Sequence, residues 1–376
     1  MLPSTGFFAA LFACLLAAGA YAADGQVIRT HEHALRVRII VQGLEHPWGL
    51  AFLPDGRMLV TERPGRLRIV REGKLDPRPI AGLPEIAAVG QGGLLDVAPH
   101  PRHAENGWIY LSYAARGTDG VGTEVLRGRL KDDQLSEVQV IFRMQPKKSG
   151  GLHYGSRLVF DRQGLLYVTL GERGDADQAQ RLDNHLGKIV RLHDDGRVPE
   201  DNPFRARPGA RPEIFSLGNR NVQGAALHPA TGELWAHEHG PQGGDELNVI
   251  RAGVNYGWPI ITYGRNYGTG TKIGEGTQKP GMAQPLHYWV PSIAPSGMVF
   301  YTADRFPHWR GDILIGALKD EMLVRLSVDG EKIVKEERML KGTLGRIRDV
   351  RQGPDGYVYL LTDHANGVIA RLEPAS

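Results

Sequence analysis

Short apolar runs, each cut by a turn rich in Pro, Asp and Gly, recur along this chain without any long stretch of 3.6-residue periodicity. One phrase returns six times: an apolar strand, a turn, then a second strand rich in Leu, Val and Tyr. Its copies are Gly49–Glu62, Leu94–Pro99 with Trp108–Leu111, Arg157–Thr169, Gly224–Pro229 with Leu234–His237, Gly297–Tyr301 with Asp312–Gly316, and Asp349–Thr362. Further β-like stretches follow the hairpins, at Arg66–Arg71, Glu124–Leu130, Lys188–Leu192, Leu323–Val328 and Gly367–Leu372. Three or four strands per unit, six times over, predict an all-β fold: a six-bladed β-propeller with four-stranded antiparallel blades. A single unit cannot bury both its faces, so the six must close into a ring. Val37–Val41 precedes the first hairpin and is expected to supply the outer strand of the last blade. Even spacing and the lack of a linker argue against two separate β domains. The longest gaps, Asp175–Asn219 and Gly240–Pro295, are where functional loops are expected.

Composition agrees with many short strands and tight turns: 41% of the 376 residues are hydrophobic, with 49 Gly and 24 Pro. Residues 1–23 read as a secretory signal, which places the mature chain, 24–376, in the periplasm or outside the cell. Phe7–Ala20 is apolar, Ala20-Tyr21-Ala22 is a small-x-small cleavage pattern, and Asp24 follows. The run falls short of the ~20 apolar residues that span a bilayer. No Lys or Arg precedes it, a departure that a misassigned start codon would explain. Cys14, the only cysteine, lies in this segment. A lipoprotein cleavage there would leave Leu15–Ala23 as an apolar start and is not favoured. The mature chain is thus expected to have no disulfide, thiol nucleophile or thiolate metal site. A formal charge of +3 and the absence of a long basic block argue against nucleic acid as a partner.

Aligning the repeats locates the chemistry. Just before the first strands stand His46, Gln91, Tyr154 beside His153, Asn221 beside Arg220, Ala294 near Ser296, and Arg346. First strands line a propeller's channel, and the antiparallel second strands end at the same mouth, with Glu62, Glu172, Glu238-His239, Lys319 and Asp363-His364. Convergent polar groups on a rigid scaffold make a site. Arg346 and Arg348 have a structural reading, as partners of Asp349 and Asp363. Yet Arg220, Lys319, Arg346 and Arg348 at one rim would repel one another without an anionic guest, and clustered Arg suits carboxylate or phosphate. His153 opposite Glu172 fits a general base oriented by a carboxylate, or a plain structural histidine. In His237–Asn248, the residues His237, Glu238, His239, Asp245 and Glu246 fit a transition metal such as zinc, while the turn's carbonyls and carboxylates fit calcium.

These residues resemble the soluble pyrroloquinoline quinone-dependent glucose/sorbosone dehydrogenases, and most of all the bacterial aldose sugar dehydrogenase branch. The motifs are Leu44–Leu50, Gly90-Gln-Gly-Gly93, His153–Leu158, Gly218–Asn221, Glu238–Pro241, Asp245–Asn248, Asn255–Pro259 and Arg346–Arg351. The resemblance implies that His153 takes the anomeric hydroxyl proton of an aldose while hydride passes to the quinone. It implies calcium on the carbonyls of Gly240 and Pro241, and cofactor binding by Gln91, Arg220, Asn221, Tyr267, Lys319, Arg346 and Arg348. A second, structural calcium would use Glu246 and the carbonyl of Tyr256. The quinone's carboxylates would be the polyanion, and the electron acceptor stays unidentified. One departure stands out. The base's partner is Asp in the glucose-oxidising members and Glu172 here, and the extra methylene changes its reach. Their long insertions are absent, which argues for a monomer and against narrow glucose specificity. The competing classes are a calcium-dependent propeller lactonase or hydrolase and a non-enzymatic binding propeller.

Overall fold

In the computed structural model, which describes residues 23–375, the recurring phrase folds six times into an inner hairpin with further antiparallel strands outside it. The signal segment, but for Ala23, lies outside the described residues. Blade 1 is Pro47–Phe52, Met58–Glu62, Arg66–Arg71 and Lys74–Leu75. Blade 2 is Leu94–Pro99, Trp108–Gly117, Gly120–Lys131 and Gln134–Arg143. Blade 3 is Leu158–Phe160, Leu166–Thr169, Lys188–Leu192 and Ile214–Leu217. Blade 4 is Val222–Leu227, Leu234–Glu238, Asp245–Ile250 and His287–Trp289. Blade 5 is Pro295–Phe300, Ile313–Ala317, Met322–Asp329 and Lys332–Met339.

Blade 6 closes the ring. Ile347–Gln352, Val358–Thr362 and Gly367–Pro374 come from the end of the chain, and Ala34–Leu44 adds the outer strand, with Val37 facing Leu372 and Arg38 facing Arg371. The expected strand therefore pairs as its pattern indicated, and a fifth strand, Val27–Arg29, lies outside it. The two long gaps hold outer strands of blades 3 and 4 together with the loops around them. Each interface between neighbouring blades is packed by its own apolar cluster. Leu59 and Leu67 meet Leu111 and Leu126 between blades 1 and 2, and Leu314 and Leu323 meet Val350 and Leu360 between blades 5 and 6. Alternation along each strand points one set of apolar side chains at each neighbour, so both faces of a blade are buried.

At the axis, one repeat offset carries Gly49, Asp96, Arg157, Gly224, Gly297 and Asp349. Asp96 accepts from Arg157 at 2.9 Å, from Arg351 at 3.0 Å and from the Leu158 N–H at 2.9 Å. Asp349 accepts from the Leu50 N–H at 3.0 Å and from Arg351 at 2.8 Å, and lies 3.2 Å from Arg157. Arg157 Nε also donates to the Gln223 carbonyl at 3.1 Å. Glycine at two of the other copies makes room, for a Cβ on Gly49 would lie 2.8 Å from Asp96 Oδ1 and one on Gly297 would strike Asp349. Asp349 is thus not the partner of Arg346 or Arg348. Neighbours on a strand face opposite ways, and Asp349 faces the axis.

Removing one member strands the others as buried charges. Asp96→Ala should lower the unfolding free energy by about 3–5 kcal/mol, read as a lower chemical-denaturation midpoint. A change under about 1 kcal/mol, the size of an exposed ion pair, would contradict a network that holds the blades.

Candidate active site

Register places the starts of inner strands and the ends of second strands at one rim: Pro47 faces Glu62, Val222 faces Glu238 and Ile347 faces Thr362. The turns leading into the inner strands are tight. His46, His153 and Ala294 sit there at φ of 44°, 52° and 53°. Left-handed backbone costs a residue with a Cβ roughly 1–2 kcal/mol, and such strain gathers at functional sites.

Two cavities of about 270 and 620 Å³ open at this rim and share Gln91, His239, Ala294 and Lys319 in their walls. Asn221, Arg346, Arg348 and Asp363 line the first, with Trp48, Arg63 and Gln223. His153, Arg220, Gly240, Pro241 and Tyr267 line the second. Glu172 stands behind His153 and is 2% exposed. Its Oε2 meets His153 Nδ1 at 2.5 Å and accepts the Gly174 N–H at 3.0 Å, so the longer glutamate does reach. The His153 N–H donates to Gln91 Oε1 at 2.9 Å. With Nδ1 engaged by a carboxylate, Nε2 is the nitrogen left to accept a proton. Tyr267 is 67% exposed at the edge of the second cavity.

Positive charge dominates these walls. Arg63, Arg220, Lys319, Arg346 and Arg348 face them, against the carboxylates of Asp363 and Asp245. Asp363 Oδ2 accepts from Arg348 at 2.9 Å and from Arg346 at 3.5 Å, and Oδ1 meets His46 Nδ1 at 3.1 Å. Burial alone would raise the Asp363 carboxyl, but Arg348, His46 and Arg346 together outweigh it and hold the group well below its ordinary value. Burial lowers the Arg348 guanidinium, partly offset by Asp363, and its Nε has no partner. Asp245 is consumed locally by the N–H groups of Gly240, Ile293 and Ala294. A polyanion therefore fits the cavity electrostatically. Nothing local in the sequence singles out Arg63 or Gln223, although Trp48 falls inside the Leu44–Leu50 motif.

The histidines of the metal-rich patch do not converge. His237 is buried against Gly224 with neither ring nitrogen bonded, and His239 Nε2 meets the Pro295 carbonyl at 2.7 Å. No three His, Cys, Asp or Glu side chains among the described residues gather to hold a metal, which removes the zinc reading. Oxygen donors are present instead. Gly240 and Pro241 line the second cavity, and the Gly240 carbonyl accepts from Arg220 at 2.8 Å. Glu238, Glu246 and Tyr256, together with Arg220 and Gly240, line a further small cavity. Burial raises both glutamates, and the Glu238 charge raises Glu246 further. Glu238 accepts from the Asn219 amide and from the Arg220 and Asn221 N–H groups, which leaves Glu246 as the less satisfied carboxylate of the two.

Comparison with known proteins identifies the family. The family model described as Glucose / Sorbosone dehydrogenase matches residues 44–371. An aldose sugar dehydrogenase of Escherichia coli is 48% identical over 346 residues, 90% of this chain and 93% of that protein. The apo crystal structure of the soluble aldose sugar dehydrogenase from Escherichia coli superposes with a TM-score of 0.88 at 48% identity, over 91% of this chain and 100% of that one. A PQQ-bound aldose sugar dehydrogenase from Streptomyces coelicolor superposes with a TM-score of 0.75 at 28% identity, over 92% and 100%. Matched by that family model over residues 44–371 and by a relative 48% identical across nine-tenths of its length, the chain belongs to the glucose/sorbosone dehydrogenase family.

Proposed function

We propose that this protein is a periplasmic or secreted oxidoreductase that oxidises aldose sugars at the anomeric carbon to lactones, using pyrroloquinoline quinone and calcium. The observation that carries the reading is the His153–Glu172 pair, 2.5 Å apart, facing cavities walled by Arg220, Lys319, Arg346 and Arg348. When bound, the quinone accepts the sugar's hydride and calcium polarises it as a Lewis acid. His153 Nε2 takes the proton of the anomeric hydroxyl. Glu172 fixes the ring's tautomer and stabilises the imidazolium that forms, while Gln91 braces the backbone behind it. Lys319, Arg346 and Arg348, with Arg220, Gln91, Asn221 and Tyr267, would hold the cofactor, the cations pairing with its negative charge. Asn221 contributes through its amide NH₂, because its Oδ1 is occupied by the Gly155 N–H and by Gln223, each at 3.1 Å. The carbonyls of Gly240 and Pro241 would hold the calcium. Glu246 and the Tyr256 carbonyl, joined by Glu238, hold a second, structural one. Export follows from the leader at residues 1–23, and no helix among the described residues is long and apolar enough to cross a membrane. The electron acceptor is a partner still to be identified.

Reconstitution with the quinone and calcium should give dye reduction that depends on an aldose. His153→Asn should slow the chemical step by roughly 10²–10⁴-fold, with the sugar KM changed far less. Sugar-independent reduction, or lactone hydrolysis without quinone, would place the protein in another class.

Glu238 and Glu246 generate a pH-dependent test. Their folded-state values lie above the ~4.3 of a free glutamate, so the metal-free folded protein holds extra protons. Its stability therefore falls as pH rises through those values, and a cation replaces the missing charge. Calcium should raise the melting temperature more at pH 8 than at pH 5, and Glu246→Gln should shrink that difference. Equal calcium shifts at both pH values, in wild type and variant alike, would contradict a cation between these carboxylates.

A further inference from the structure

A second histidine–carboxylate pair stands at the mouth, and the reaction does not use it. His153 and His46 both precede an inner strand with left-handed backbone, and both meet a carboxylate through Nδ1. The carboxylates differ in what else they hold. Glu172 is spent on His153 and a backbone N–H. Asp363, 11% exposed at its side chain, is shared by Arg346, Arg348 and His46, and its own N–H donates to the Arg346 carbonyl at 2.8 Å. Of the two guanidiniums, Arg348 has further support, from Gln223 Oε1 at 3.2 Å, from the Trp48 ring and from burial. Arg346 is 47% exposed at its side chain, and its other contact is the Leu318 carbonyl at 3.3 Å.

We propose that Asp363, braced by His46, is a positioning residue for the anion clamp: it holds the Arg346 guanidinium over the cavity before the ligand arrives. Ordering a long side chain in advance removes its entropy cost from the binding step. Lys319 also faces both cavities but has no ion-pair partner among the described residues, so its contribution is independent of Asp363. The inference rests on reading these cavities as the quinone's site.

The test is a double-mutant cycle on quinone affinity, measured by titrating apo-protein with quinone in calcium and following tryptophan fluorescence. Wild-type binding tests the site itself, and if it is absent the site assignment fails before the question of Asp363 arises. Given wild-type binding, Asp363→Asn should weaken it about tenfold, the worth of one charge-assisted contact. Arg346→Ala should cost a similar factor in wild type and little in the Asp363→Asn background, whereas Lys319→Ala should cost the same in both. Asp363→Glu keeps the charge but moves it by a methylene, so placement predicts weaker binding. It also serves if Asp363→Asn does not fold. Additive costs for Asp363→Asn and Arg346→Ala, wild-type binding by Asp363→Glu, or tighter binding by Asp363→Asn would each overturn the proposal.

Discussion

Asp96, Arg157, Asp349 and Arg351 meet on the axis of the ring, and the rest of the molecule is arranged around that meeting. Buried charges are tolerated only when paired and hydrogen-bonded. Here the pairing can be completed only if blades 2, 3 and 6 present their inner strands at one height, with blades 1 and 4 adding the Leu50 N–H and the Gln223 carbonyl. Apolar packing between blades supplies most of the stabilisation but is non-directional. The axial network supplies registry, and Gly49 and Gly297 at two of the equivalent positions give it room.

From that registry the mouth follows. Once the inner strands are level, the residues preceding them and the ends of the second strands form two layers of one rim. A tight left-handed turn at His46, His153 and Ala294 ends the loop and begins the strand. Histidines and cations from separate blades then face a common space, which no single blade could build. Carboxylates at the second-strand ends do the orienting: Glu172 behind His153, Asp363 behind Arg346 and Arg348, and Glu238 beneath the Asn219–Asn221 turn. Orientation by a buried carboxylate is the recurring device of this rim, applied to a histidine in one blade and to a pair of arginines in another.

Period and repeat made much of this legible in the chain. The hairpins, the closing strand near Val37–Val41 and the shared offset of the rim residues all follow from strand alternation and ring closure. The pairing of His153 with Glu172 followed as well, because both sit at the same end of adjacent strands. Side-chain direction and distant partners were harder to read. Asp349 was grouped with Arg346 and Arg348, yet one step along a strand turns it to the axis. Its neighbour Arg351 pairs with Asp96 across 255 positions, which no local pattern encodes. His237 and His239 looked like alternating ligands, but one ring is packed against Gly224 and the other is capped by a carbonyl beyond the strand's end.

The central claim is that the cationic mouth receives the quinone and calcium together. A crystal structure of the protein soaked with both tests it most directly. The account predicts ligand density bounded by Lys319, Arg346 and Arg348, a cation peak against the carbonyl oxygens of Gly240 and Pro241, and His153 Nε2 facing open space beside the ligand. Quinone bound elsewhere on the surface, or a calcium-loaded crystal whose mouth takes up no quinone, would contradict it.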